Sequence, residues 1–137
     1  MRQLSNIMWE RHRTPWSGWT RVPIGFLLAG ALWFHHWPLL AAAILLAITN
    51  PLWFSPPDRS DAFMTRAVDG ERLWLGRVTL VEEAIVLGPV VVLSLVLIWA
   101  LYVNAGIWAL IAGLTVLVHK ILFLIDCAGL PAQARAE

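Results

Sequence analysis

The chain has 137 residues, 59% of them hydrophobic and only 14% charged, with a formal net charge of +1, where an ordinary soluble domain carries about 25% charged residues. That deficit points to a membrane protein, and the absence of any run of Lys or Arg able to neutralise a phosphate backbone excludes nucleic acid as a partner. A single cysteine, Cys127, excludes an internal disulfide and points to a reducing side or an inert thiol.

Residues 1–21 are polar but hold Trp9, Trp16 and Trp19, with Pro15 expected to prevent a continuous helix. This segment is expected to lie on the membrane surface, and its length and mixture of Glu10 with arginines do not fit a cleaved signal. Residues 22–37 form the first expected span, apolar apart from His35 and His36, with Pro23 in the first turn where a missing amide costs little. Pro38 is expected to break it, and residues 39–54 form the second span, kinked or ended by Asn50-Pro51. Both runs lie near the lower limit of about 17 residues for a spanning helix, so a re-entrant hairpin is the alternative to two crossings.

Residues 55–79 are the one substantial polar connection. Ser60 or Asp61 is placed to cap a helix with Phe63, Ala67, Val68, Trp74 and Leu75 on one stripe, opposite Arg66, Asp69 and Arg72. Such a helix fits the membrane interface, and Asp69-Gly70-Glu71 reads as a turn or break between two short interfacial helices. Glu82 and Glu83 then stand where a helix dipole favours carboxylates. Residues 84–103 and 106–125 are the third and fourth spans, separated by too little chain for anything but a hairpin. Lys120 is expected to snorkel inward or pair with Glu83. Residues 126–137 are expected to fray.

The fold class is therefore an all-α membrane protein: four transmembrane helices as two hairpins, with an interfacial helix in the central cytoplasmic loop. Arginines and Lys120 cluster before the first span, in the central connection and near the end, while the two hairpin turns have none. The positive-inside rule then places both termini and the central loop on the cytoplasmic side of the cell (inner) membrane. Trp33, Trp37, Trp99, Trp108 and Tyr102 mark an outer rim, and Trp9, Trp16, Trp19, Trp53 and Trp74 an inner one. Small residues that permit close helix contact are Gly25 and Ala29, Ala43 and Ala47, and Ala105, Ala109 and Gly113. No sequence-level repeat joins the hairpins, and since both start inside, an inverted transporter repeat is not available.

Three stretches carry a resemblance: Trp9-Glu10-Arg11-His12-Arg13-Thr14-Pro15-Trp16-Ser17-Gly18-Trp19-Thr20-Arg21, then Asn50-Pro51-Leu52-Trp53-Phe54-Ser55-Pro56-Pro57, then Arg66-Ala67-Val68-Asp69-Gly70-Glu71-Arg72-Leu73-Trp74-Leu75. Together they resemble an uncharacterised family of small prokaryotic multi-spanning membrane proteins. The resemblance reaches as far as Arg77; the second hairpin is similar only as hydrophobic sequence. It implies topology and no mechanism.

The acidic side chains and nearly all the basic ones fall on the inner side, so Glu10, His12, Arg21, Asn50, Asp69, Glu71 and Arg72 form a candidate polar cluster at the cytoplasmic face. In the sharper reading His12 carries a proton or ligates a metal and the arginines clamp a phosphate. In the blander, favoured one they are structural ion pairs and headgroup anchors. No His-Glu-x-x-His spacing, Gly-rich phosphate loop, Cys pair or nucleophile elbow is present, so no metal or cofactor is expected. His35 and His36 point about 100° apart on a helix, which favours packing beside Trp33 and Trp37 over shared ion binding, and Ser94, Asn104 and Thr115 are too few and too neutral for a proton path. The leading function is an accessory or assembly component that packs in the bilayer against a membrane-protein partner or a second copy. The alternative is a small enzyme or binding protein for a lipid head group or other anionic ligand at the cytoplasmic face, and a transporter ranks last.

Overall fold

A computed structural model describes residues 9–55 and 61–133, and every regular element among them is helical. One helical turn over residues 9–12 closes with Arg13 N donating to Trp9 O at 3.1 Å. Helix α1 then runs Pro15–Trp33. Pro15 opens this helix, where a first-turn proline has no needed amide to lose, and the turn at residues 9–12 stops short of it, so no single helix runs through the segment, as expected. Helix α1 carries the polar stretch from Pro15 through Arg21, takes Pro23 in its interior and not in its first turn, and ends at Trp33, short of Trp37. Pro38 belongs to the first turn of α2, Trp37–Thr49, whose N-cap His36 accepts from Leu39 N through Nδ1 at 3.1 Å. A 3-10 turn, Asn50–Trp53, continues it.

Helix α3, Phe63–Leu75, is continuous through Asp69-Gly70-Glu71, where a break was expected. Ala62 is its N-cap, with no side-chain cap from Asp61, and Ser60 lies outside the described residues. Its buried face is Thr65, Ala67, Val68 and Gly70, while Phe63 and Leu75, expected on the apolar stripe, are exposed. Small residues suit that face because α3 lies directly on α5, Gly106–Gln133. A Cβ on Gly70 would stand 1.7 Å from the Cys127 carbonyl oxygen, so glycine here marks backbone contact and not a helix break. Trp74 meets Phe123 edge to face at 5.3 Å. The same contact explains why α5 stays helical past Ile125, over residues expected to fray: Cys127 and Ala128 are buried.

Helix α4, Leu80–Tyr102, starts on a capping box in which Thr79 and Glu82 satisfy each other's amides. It pairs with α5 as α1 pairs with α2, and α1 meets α4 between the hairpins. The two hairpin turns are alike: His35 (φ 52°) and Asn104 (φ 54°) are both left-handed, and the following amides, His36 and Ala105, return to Ala31 O and Ala100 O, each at 2.8 Å. This is the Schellman ending of a helix, with His and Asn in the place glycine often holds. Ala31, Ala43, Ala100, Ala109 and Ala112 form the buried seams. Two helices, Leu80–Tyr102 and the Gly106–Leu130 part of α5, are long and apolar enough to cross a membrane, and only 6% of each apolar window is buried within the chain. Their large side chains, such as Leu95, Ile107 and Leu110, face outward.

Candidate functional site at the polar end of the bundle

The end opposite the hairpin turns gathers the turn at residues 9–12, the start of α1, the end of α2, all of α3 and the last part of α5. Arg13 is its centre. Its guanidinium forks onto Asp69 of α3, with Nε 2.6 Å from Oδ1 and Nη2 3.0 Å from Oδ2, and donates from Nη1 to Glu10 Oε2 at 3.0 Å. The bond to Asp69 holds this guanidinium even more firmly protonated than usual. Thr65 Oγ1 donates to the Arg13 carbonyl at 2.9 Å. Both the side chain and the backbone of Arg13 thus tie the N-terminal segment to α3. Arg11 Nη1 donates to Leu52 O at 2.8 Å and Thr14 Oγ1 to Ser55 O at 2.7 Å, which ties the same segment to the chain leaving α2.

A second, buried network links α1 to the end of α2. Ser17 Oγ donates to Asn50 Oδ1 at 2.7 Å, Asn50 Nδ2 donates to Thr20 Oγ1 at 2.6 Å, and Thr20 Oγ1 donates to Trp16 O at 2.7 Å. Ser17 is completely buried and Asn50 nearly so, so the Ser17 hydroxyl and the Asn50 amide are satisfied where water cannot serve them. Asn50-Pro51 is not merely a helix stop: Asn50 is the polar bolt of the first hairpin.

The third group joins His12 and Arg21. Arg21 Nη2 lies 2.6 Å from His12 Nδ1, and Nη1 lies 3.3 Å from Nε2. Trp9 packs edge-on against the imidazole at 5.9 Å. Burial, then the charges of Arg21 and Lys120, push the His12 pKa down to about 4. His12 is therefore neutral at physiological pH, which removes an imidazolium proton donor from the site. Glu71 stands close enough to act on the Arg21 charge but outside ion-pair distance: among the described residues, the carboxylates paired to a cation are Glu10 and Asp69, both on Arg13. Lys120 has its ammonium 5.3 Å from the Phe123 ring and makes no pair with Glu83 among the described residues.

The seven expected cluster residues are thus divided. Glu10 and Asp69 meet on Arg13, His12 and Arg21 meet with Glu71 nearby, and Asn50 belongs to the Ser17 and Thr20 network. Arg72 is exposed on an open groove of about 530 Å³ shared with Asp69, Leu73, Gly76 and Arg77. Arg13, Ser17, Thr20 and Lys120 were not among the expected residues. Arg13, Ser17 and Thr20 all lie within the Trp9 to Arg21 motif, so the dense mixing of polar residues among tryptophans was the signal. Among the described residues no group of three or more His, Cys, Asp or Glu is arranged to hold a metal ion.

The model of a family of unknown function, DUF6653, matches residues 3–133, and the chain belongs to that family. The match runs past Arg77, where the recognisable motifs stop, through both long apolar helices. Neither a curated protein nor a solved structure matches the chain.

Proposed function

We propose that this member of the DUF6653 family is a multi-pass protein of the cell (inner) membrane, crossing it four times as the hairpins α1–α2 and α4–α5, with both termini and α3 on the cytoplasmic side. Its role in this reading is that of a non-enzymatic accessory or assembly component, acting by helix packing against a membrane partner or a second copy. The observation that carries the reading is the outward display of α4 and α5, whose apolar windows are almost wholly unburied by the rest of the chain. Lipid or another helix would have to cover them. Within that surface, Gly88 of α4 has no atom from beyond its own helix within 4 Å of where a Cβ would stand, and membrane helices approach closely where side chains are small. The Trp37, Tyr102 and His35 rings gather at the hairpin turns, as an outer aromatic belt would, and the paired charges gather at the other end.

Two measurements test it. Single cysteines at Arg13 and Arg66, in a Cys127→Ser background, are expected to label from the same compartment; labelling from opposite compartments overturns the topology. Extraction in several mild detergents is expected to yield a partner or a homo-oligomer that is lost in Gly88→Leu, and a clean monomer under every condition overturns the accessory role.

A further inference from the structure

We infer that His12, Arg21 and Lys120 form a binding site for a phosphate group at the polar end of the bundle. The reason is a mismatch of hydrogen-bonding roles. A guanidinium only donates, so His12 Nδ1, at 2.6 Å from Arg21 Nη2, accepts, and the ring proton sits on Nε2. That places Nε2–H and the Arg21 Nη1–H only 3.3 Å apart, donor against donor, with no protein acceptor for either among the described residues. Lys120, on a third element with its ammonium 5.3 Å from the Phe123 ring, is near enough for its charge to act on the same imidazole, and among the described residues neither Lys120 nor Arg21 has a carboxylate within ion-pair distance. Elsewhere at this end the cation is answered: Arg13 holds two carboxylates. Here a guanidinium and a ring N–H from α1 and the N-terminal turn meet, with the Lys120 charge of α5 acting nearby and, among the described residues, no carboxylate paired to either cation.

A tetrahedral oxyanion resolves the mismatch. One oxygen accepts from both Nη1–H and Nε2–H, and another receives the Lys120 ammonium, charge-assisted bonds that match the arginine fork. Glu71, near Arg21, offsets part of the repulsion between the two cations. Toward the hairpin turns, apolar sequence begins at Val22 directly after Arg21 in α1 and, in α5, ends at Val118 shortly before Lys120. If the chain spans the membrane as proposed above, this is the depth of a lipid phosphate, and that source rests on that reading. Free phosphate or a soluble phosphoester is the other source and does not depend on it.

The test uses the full chain in micelles of a phosphate-free, uncharged maltoside, probed separately with inorganic phosphate and with short-chain phosphatidic acid. Expected are a rise in thermal midpoint and a perturbed His12 Nε2–H resonance in nitrogen-resolved NMR, with apparent affinity about tenfold or more weaker in Arg21→Gln and Lys120→Gln. Lys120 is exposed, so its variant keeps the test alive where Arg21→Gln fails to fold. Response to phosphatidic acid alone identifies a lipid headgroup, and response to inorganic phosphate as well identifies free phosphate; either supports the site. No response to either probe, or equal response in wild type and Lys120→Gln, overturns it. Failure of the four-span reading is seen separately in the labelling experiment and leaves an Arg21-dependent response to inorganic phosphate standing.

Discussion

His35 and Asn104 occupy the same left-handed position in the two hairpin turns, and each reaches across to the other hairpin: His35 Nε2 donates to Tyr102 O at 2.8 Å and Asn104 Nδ2 to Trp33 O at 2.8 Å. The exchange is reciprocal, since each side chain caps a carbonyl that its partner's helix leaves free at its end. Ala31 and Ala100 stand at matching positions before these residues, and Ala43 and Ala112 at matching positions after them, all four buried. The hairpins are therefore built alike, although no repeat is visible in their sequences, because the likeness resides in backbone conformation and in where a small side chain is required. Asn tolerates the left-handed region and Ala does not, at a cost of about 1–2 kcal/mol, and the lost bond to Trp33 O adds roughly 1 kcal/mol. Asn104→Ala should then unfold at lower temperature than Asn104→Gly, which keeps the conformation and loses only the bond. Equal midpoints would mean that the conformation at Asn104 contributes nothing.

Gly70 and Gly25 offer a contrast in what a single methyl does. At Gly70 the added carbon would overlap the Cys127 carbonyl, a backbone atom that cannot rotate away, whereas at Gly25 it meets open space. Gly70→Ala should separate α3 from α5 and cost about 3 kcal/mol or more, and it should expose Cys127, which is 1% exposed, to thiol reagents. Gly25→Ala should be neutral or slightly stabilising, because alanine favours a helix by about 1 kcal/mol over glycine. Parallel thermal unfolding and thiol-labelling rates of the two variants check this; unchanged labelling in Gly70→Ala would deny the backbone contact.

The long apolar runs of α4 and α5 were legible in the sequence because helix length and hydropathy are local properties. So was the division of polar and apolar residues between the two ends of the bundle. The misreadings share one physical origin, which is contact with residues distant in sequence. Gly70 looks like a helix break until Cys127 is seen beneath it, and the small residues after Ile125 look unstructured until α3 covers them. The Arg13 pairing was not legible, because its partner Asp69 lies in a different element. The break at Pro15 was legible too: the helical turn at residues 9–12 and α1 are separate, and Pro15 opens the second.

The Ser17, Asn50 and Thr20 network predicts an order among substitutions at one position. Asn50→Ala strands the buried Ser17 hydroxyl and should cost about 1–3 kcal/mol. Asn50→Asp keeps an acceptor for Ser17 but loses the donor to Thr20 and adds a buried charge without a cation in the network, so above neutral pH it should be at least as damaging as Asn50→Ala. Lowering the pH protonates that carboxyl and should restore part of the loss in Asn50→Asp alone. Thermal midpoints of both variants against pH decide it, and an Asn50→Asp protein as stable as wild type at high pH would mean that water reaches Asn50.

Acid should weaken the fold through His12, and the sign follows from its pKa. The folded protein holds His12 at about 4, below the ordinary value of 6.5, because burial and the charges of Arg21 and Lys120 disfavour the imidazolium, with Glu71 the nearby opposing charge. Between those values the unfolded chain binds the proton more readily, so stability is complete above about pH 6.5, declines as pH falls toward 4, and levels off below it. Partial exposure of the ring reduces the full effect to something on the order of 2 kcal/mol. His12→Gln, which cannot titrate, should lose this component, so its midpoint should fall less than that of wild type between pH 7 and 4.5; other acid-sensitive contacts, such as Arg13 with Asp69, are common to both proteins and cancel. Saturating phosphate should shrink the wild-type loss, since an anion beside Nε2 favours the imidazolium that Arg21 and Lys120 oppose. Identical pH profiles for wild type and His12→Gln would show that the His12 ring is hydrated and titrates as in the unfolded chain.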